Sequence, residues 1–522
     1  MSQHSSMSPE RWRSFRLSQQ ILMIGNEMNR AFGLMGPGDA PSRRLAYERV
    51  LNLVDLTTEV NPGRGLRREL LRWRGLAASL YARSDPDPVT HAAALRALLQ
   101  LTPESAAQIA HLPPLAPQVA HIEAAERERL AGHWTLDPAV QYLNHGSFGA
   151  CPRPILEHQA DLRAEVEREP IDFLYRRLGA RLAEARGALA AFIGADPESL
   201  AFLHNATTGV NAALRAWDLR PEDEVLTTDH TYGACRKALD FVASRRRARV
   251  IVARVPFPLS GPDDVVEAVL GAVTSRTRLA LLDHVTSPTA LVFPIEALVP
   301  ALRERGVEAI VDGAHALGML PLDLNRLGAA CYTANAHKWL CAPKGAAFLH
   351  VRRDLLDRIR PLVVSHGYDP AREGVRFRAE WDWTGTQDPT PWLSIPECVR
   401  FLGGLLPDGW AALMERNHAL ALRGREILLE TLGLPAPCPD GMIGAMAALP
   451  LPAAGPGSPA ARLDADALGT WTRDRGVEAI FFPWACAGGK VVRVSAQIYN
   501  HEAQYRALAP LLAEALRTVA PR

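Results

Sequence analysis

Long apolar runs are missing from this chain. Nowhere does an uncharged hydrophobic stretch reach the roughly 18 residues that a membrane span requires, and residues 1–16 are polar, without the apolar core of a secretory leader. A soluble, cytoplasmic protein is therefore expected. An excess of either charge is missing too: 58 Lys and Arg against 57 Asp and Glu leave a formal net charge of +1, which offers no basic footprint for nucleic acid or an anionic membrane. A small-molecule ligand fits better. Cysteine is sparse and patternless, seven residues at 151, 235, 331, 341, 398, 438 and 486 with no C-x-x-C spacing, which argues against a disulfide framework and against a structural zinc site. Most are read as small buried hydrophobes.

What is present is ordinary globular composition, 48% apolar and 22% charged, in 522 residues, a length that calls for two or three domains. Residues 1 to about 125 carry no strand pattern. Leu, Val and Ala recur there at three- and four-residue intervals over 43–60, 64–83 and 88–101, and the separators are helix punctuation: Asn61-Pro62-Gly63, Asp85-Pro86-Asp87-Pro88, and Thr102-Pro103-Glu104 as an N-cap followed by proline. Pro113, Pro114 and Pro117 mark a linker before a last helix over 119–132. With no catalytic constellation in it, residues 1–130 read as an accessory helical bundle of open role.

From about 133 the pattern changes to short apolar runs alternating with amphipathic helices, which predicts an α/β domain with a mostly parallel sheet. Candidate strands cover 199–203, 224–228, 249–255, 278–283, 309–312, 329–334 and 346–350. Sheets of this kind bind ligands outside the carboxyl ends of their strands, so polar residues just after these runs are candidates for function.

Four strand ends qualify. His204-Asn205-Ala206-Thr207-Thr208-Gly209 leads into a helix over 208–216, where Thr207 and Thr208 either hold a phosphate with the free backbone N–H groups or simply cap the helix. Asp229-His230-Thr231-Tyr232 puts an imidazole and a phenol past a strand, either of which could stack on a flat heterocycle or be a plain loop residue. Asp312 directly ends the apolar Ile310-Val311, and a carboxylate so placed wants a cationic partner, for which a protonated pyridine nitrogen would serve. Lys338, in Asn335-Ala336-His337-Lys338-Trp339, lies 26 residues after Asp312, room for one crossover and a strand, where burial would lower its pKa as a Schiff-base lysine needs. Together the four describe a pyridoxal phosphate site.

With these residues in view, the sequence resembles the class V aminotransferase family of fold-type I pyridoxal-phosphate enzymes, its isopenicillin N epimerase-like branch most of all. The resemblance spans about 135–520 and rests on Tyr142-Leu143-Asn144-His145-Gly146-Ser147-Phe148-Gly149, Asn205 to Gly209, Asp283-His284-Val285-Thr286-Ser287-Pro288-Thr289, Val311 to His315, Asn335 to Trp339, Trp383-Thr384-Gly385-Thr386-Gln387-Asp388-Pro389 and Val492 to Asn500. It implies a large cofactor-binding part over about 165–400 with a seven-stranded sheet, and a smaller α+β part from 131–164 and 401–522. It also implies that Lys338 bonds the cofactor, that Asp312 pairs with the ring nitrogen, that His230 stacks on the ring and that His315 sits near the ring hydroxyl. The phosphate would be held by Ala206, Thr207, Thr208, Asn335 and His337, with Thr386 reaching over from the other subunit of a homodimer. Arg493 would clamp a substrate carboxylate, a task suited to a planar two-pronged donor, beneath Asn144, His145 and Gly146. Related desulfurases often carry Ser where Asn335 stands.

Fold and cofactor do not fix the reaction. Epimerisation at Cα of an amino acid or an amino-acid-bearing metabolite leads. A carbon-sulfur lyase or desulfurase on cysteine or its S-conjugates is the alternative, followed by transamination and by a non-catalytic binding protein of the same fold. Cys486 is the one candidate for a sulfur-carrying thiol, and its loop, seven residues before Arg493, is short for that task. The side-chain pocket is expected from the loops 363–378 and 438–446.

Overall fold

The computed structural model of the chain describes residues 7–36, 38–83, 86, 88–108, 128–369 and 376–517. The chain divides into two compact units, residues 1–130 and 131–522. In the first, helices α1 (Leu17–Phe32), α2 (Ala40–Val60), α3 (Arg64–Ala82) and α4 (Pro88–Leu99) are flanked by two short helices, Pro9–Arg13 and Pro103–Ala106. Helix α1 turns Ile21, Ile24, Met28 and Ala31, at helical spacing, into a core shared with Trp12, Tyr47, Val50 and Leu98. Thr102 caps the last of these helices through the N–H of Ser105, with Pro103 at its first position. No strand occurs among the described residues of this unit, and all but the end of the helix expected over 119–132 lies outside them.

The second unit is built on a seven-stranded sheet: β1 (Leu200–Leu203), β2 (Glu224–Thr228), β3 (Arg249–Ala253), β4 (Thr277–Asp283), β5 (Glu308–Asp312), β6 (Cys331–Asn335) and β7 (Ala347–Val351). Their spatial order is β1-β7-β6-β5-β4-β2-β3. The pairings from β3 through β2, β4 and β5 to β6 are parallel, and only β7 runs against its two neighbours. Four of these strands, β1, β2, β6 and β7, are buried at every residue, which is why they read as continuous apolar runs and not as alternations.

Helix α5 (Ala206–Arg215) enters from β1, capped by the Asn205 side chain, which accepts from the N–H of Thr208. The cap is therefore Asn205 and not Thr207, and the hydroxyl of Thr208 donates to the same Asn205 oxygen at 3.1 Å. The close approach of α5 to β6 needs glycine: a Cβ on Gly209 would lie 2.3 Å from Thr333 Oγ1. A second, antiparallel sheet is formed by β8 (Met446–Pro450), β9 (Ile480–Pro483) and β10 (Lys490–Ser495) in the order β9-β10-β8. A two-residue parallel pairing of Gln141–Tyr142 with Val477–Glu478 ties the stretch before Leu143 to this part of the chain.

Candidate active site

The carboxyl ends of four adjacent strands meet at one place. β6 leads to Lys338, β5 ends in Asp312, β4 ends in Asp283, and β2 leads to Tyr232. Asp283 and Asp312 lie opposite each other in the ladder and both are buried. Burial raises the pKa of Asp312, but it is the better supported of the two: its Oδ2 accepts from the thiol of Cys235 at 3.1 Å, its Oδ1 from the N–H of Ala314 at 3.0 Å, and both bonds and the nearby charge of Lys338 favour its ionised form. Asp283 accepts from the N–H of Tyr232 through Oδ1, at 3.3 Å, while its Oδ2 has no partner. Burial first and the neighbouring Asp312 second raise the pKa of Asp283, so of two adjacent buried carboxyls Asp283 is the one that keeps a proton.

Lys338 is buried, and its pKa falls to about 7, through loss of water first and repulsion from Arg493 second, against the pull of Asp312. An amine in that state is neutral often enough near neutral pH to act as a nucleophile and a base. Its Nζ lies 3.3 Å from Nε2 of His315, whose other nitrogen is buried without a partner. Burial and the cations around it hold His315 well below the ordinary histidine range, hence neutral. The backbone of Lys338 is fixed from above by the loop 143–149. His145 donates from Nε2 to the Lys338 carbonyl at 2.9 Å and meets the Tyr499 hydroxyl through Nδ1 at 2.8 Å. A Cβ on Gly149, where φ is 70°, would lie 2.1 Å from the carbonyl oxygen of His337. Only glycine permits this packing.

Arg493 sits in the middle of β10 at 1% exposure. It donates to the carbonyl of Ser287 at 2.6 Å and to the hydroxyls of Ser287 at 3.1 Å and Ser147 at 3.0 Å, and lies over the ring of Phe482 at 5.2 Å. Its Nε has no partner, and no carboxylate pairs with it among the described residues. A buried guanidinium left uncompensated is costly, and an incoming carboxylate would relieve it. Lys338, Arg493, Asn144, Ser147, Ser287 and Tyr232 line one cavity of about 440 Å³.

The outer wall of that cavity is not where the sequence placed it. Helix α6 (Gly233–Arg246) starts just behind Tyr232, and among the described residues the wall comes from helix α7 (Ala465–Arg473) and 478–482, not from those of 363–369, 376–378 and 438–446; residues 370–375 lie outside the described residues. Nothing in the sequence of α7 marks it, since its role depends on how the second sheet folds back. Asp283, by contrast, was findable, because it ends an apolar strand just as Asp312 does. Cys235 could not be found without the fold.

At the phosphate-type turn, Asn335 Oδ1 accepts from the N–H of Ala206 at 2.8 Å, drawing the end of β6 to the start of α5, and His337 donates from Nδ1 to the carbonyl of Ala346 at 3.0 Å. Thr207, Thr208 and His337 remain half-buried there. Gly146, buried, packs against Met446, Ser495 and Arg493. Of the residues expected in the site, Lys338, Arg493 and Asn144 line the cavity, while His230, Thr386 and Cys486 are committed or turned elsewhere. His230 is fully buried with both nitrogens bonded, to Thr289 Oγ1 at 2.6 Å and to the carbonyl of Val255 at 3.0 Å, and Phe257, Phe293 and Trp484 pack around it. Its imidazole is committed to holding the loop, and the ring that faces the cavity is Tyr232. Thr386 is exposed beside Gly385 and lines no part of the cavity. The thiol of Cys486 is turned to the carbonyl of Lys490 at 3.1 Å, away from the cavity lining.

Residues 155–423 match the family model described as aminotransferase class-V. This chain belongs to that family. The class V aminotransferase is 39% identical over 398 residues to the isopenicillin N epimerase of Amycolatopsis lactamdurans, covering 73% of this chain and 96% of the relative. It is 31% identical over 425 residues to a probable chloroplastic L-cysteine desulfhydrase of Arabidopsis thaliana, covering 75% and 86% respectively. Its fold is shared with the cystine C–S lyase C-DES, solved with cysteine persulfide, at a TM-score of 0.59 and 21% identity over 72% of this chain and 98% of that one. The class V aminotransferase is thus a pyridoxal-phosphate-dependent enzyme of fold-type I. The residues present fit that cofactor: an amine of lowered pKa, a supported carboxylate at the end of the neighbouring strand, and a buried guanidinium without a carboxylate partner among the described residues, on the same cavity as the amine. No helix of the described residues is long and apolar enough to cross a membrane.

Proposed function

We propose that this enzyme works at Cα of an amino acid or an amino-acid-bearing metabolite, inverting the configuration there, with isopenicillin N-type compounds as the model substrates. The observation that carries the reading is Arg493, a buried cation without a carboxylate on the same cavity as Lys338, which suits a substrate whose α-carboxylate docks beside the amine. Similarity to isopenicillin N epimerases supports inversion over other outcomes.

In this reading Lys338 would hold pyridoxal phosphate and Asp312 would pair with its ring nitrogen, with protonated Asp283 beside it leaving a single negative charge to be matched. Ala206, Thr207, Thr208, Asn335 and His337 would hold the phosphate, and His315 would serve the ring hydroxyl. Tyr232, rather than His230, would lie on the ring side. When bound, the cofactor supplies the electron sink that makes a Cα–H bond breakable. Arg493 orients the substrate through its carboxylate, Asn144, His145 and Gly146 close over that end and exclude water, and the Lys338 amine takes the Cα proton. Thr386, exposed in one protomer, contributes across a homodimer interface.

A second reading, carbon-sulfur lysis of cysteine or a cysteine conjugate, is favoured by the similarity to L-cysteine desulfhydrases. A persulfide-carrying role for Cys486 is not favoured, given the side to which its thiol is turned. The deciding experiment incubates the cofactor-loaded enzyme in deuterated water with isopenicillin N or L-cysteine. Inverted, deuterated product without pyruvate is the expected result. Pyruvate and sulfide released from cysteine, with no inversion, would replace the epimerase reading with a lyase.

A further inference from the structure

Inversion needs a proton delivered to the face opposite the one from which it was taken, and Lys338 serves one face only. The strand order supplies the other side. Lys338 follows β6 and Tyr232 follows β2, with β5 and β4 between them, so the two approach from opposite flanks of the carboxylates at the ends of β5 and β4. Three strand spacings separate their starting points, on the order of 14 Å, room for a flat ring and a substrate Cα between the two side chains.

Of the other acid-base groups near the cavity, Asp466 is exposed on α7 in the outer wall, and the rest are occupied or on the wrong flank. His315 touches Lys338 itself, His145 and His230 have both nitrogens bonded, and Glu478 accepts from Asn144 at 3.3 Å while pairing with Arg473 at 3.5 Å. Ser147 and Ser287 are bonded to Arg493. Tyr232 differs. Its backbone N–H is anchored on Asp283, its ring is 42% exposed in the cavity, and its hydroxyl has no partner among the described residues.

We propose that Tyr232 is the second acid-base catalyst, delivering a proton from its hydroxyl to Cα on the face opposite Lys338. The inference rests on the epimerase reading. In the forward direction the Lys338 amine takes the Cα proton and becomes an ammonium, the electron pair left at Cα being the one that the cofactor would accept when bound. The Tyr232 O–H bond then breaks as the new Cα–H bond forms, leaving a phenolate that burial disfavours, so that it is reprotonated readily, with the charge of Arg493 the one nearby influence in the phenolate's favour. One proton has moved, in sum, from Tyr232 to Lys338, and exchange with water through the open cavity restores both. In the reverse direction the phenolate of Tyr232 is the base and the ammonium of Lys338 the acid.

The test uses Tyr232→Phe in the cofactor-loaded enzyme, because phenylalanine keeps any stacking and removes only the proton. Three quantities are read in deuterated water with isopenicillin N: cofactor affinity from visible absorbance, deuterium entering Cα of the unreacted substrate, and inverted product. The expected result is unchanged cofactor binding, continued exchange with retention at Lys338, and inversion reduced by roughly 10² to 10⁴, the range for loss of a general acid or base. Inversion at the wild-type rate would overturn the proposal and leave the epimerase reading standing. Parallel loss of cofactor affinity and exchange would overturn it too, making Tyr232 a stacking residue. A wild-type enzyme that exchanges without inverting would remove the epimerase reading, and this proposal with it.

Discussion

Arg493 and Lys338 are the residues at which physical cost and function coincide. Each is a nitrogen base taken out of water, and each repels the other: the guanidinium is itself lowered to about 10 by burial, and the amine to about 7. A fold tolerates such a pair where a ligand supplies the missing negative charge. Replacing Arg493 with Lys keeps a cation but loses the fork that spans a carboxylate and the contacts to Ser287 and Ser147. Substrate affinity should fall by roughly 10- to 100-fold, the scale of a charge-assisted hydrogen bond, with cofactor loading unchanged. Titrating the loaded variant with substrate and following the visible spectrum measures both quantities. Equal affinity for substrate would remove Arg493 from the carboxylate site.

At the scale of elements, the site depends on close backbone approaches. Gly149→Ala would drive a Cβ into the carbonyl of His337 and against Cα of Lys338, at a φ that disfavours any side chain. The strain is of order 1–3 kcal/mol if the loop 143–149 holds its place, and lifting the loop would displace Lys338. A lower melting temperature together with weaker cofactor binding is expected; a loss of neither would show that the loop does not fix the lysine. This is also the scale at which sequence reading succeeded and failed. All seven strands of the main sheet were visible, four of them because burial at every residue keeps them from alternating with polar positions, and their ends shifted by only a residue or two. Asp312 and Lys338 were legible because a carboxylate or an amine at such an end is conspicuous. Sequence could not separate His230 from Tyr232, two residues on and the one that lines the cavity, because the direction of a side chain in a loop after a strand is set by packing, here by Phe257, Phe293 and Trp484 around His230, and not by local sequence. The wall formed by α7 was invisible for the related reason that it joins the cavity only through the second sheet.

For the whole molecule, the buried histidines set the response to acid. His145 and His284 are held down to about 3, and His91, His337 and His350 to about 4, in every case chiefly by burial. Their folded values lie below the ordinary 6.5, so the unfolded chain binds more protons on the acid side. The stability they contribute is present above about pH 6.5 and is lost as pH falls toward 4 and below. Asp283, Asp312 and Asp382, with raised values, act in the opposite sense, losing their contribution as pH rises, but His230 and His315 are lowered as well, so these are three groups against seven. The melting temperature of the unloaded protein should therefore drop steeply between pH 6.5 and 4. A flat profile across that window would mean that these histidines are not buried as described.

In the proposed mechanism a single lysine, Lys338, carries the chemistry. Another lysine, Lys344, stands six residues on, exposed at the surface, and partial loss of water lowers its pKa as well. Reduction of the cofactor-loaded enzyme with borohydride, followed by proteolysis and mass mapping, separates the two. A pyridoxyl group fixed on the peptide containing Lys338, at that residue, is the expected result. A label on Lys344, or no label on either lysine, would contradict it.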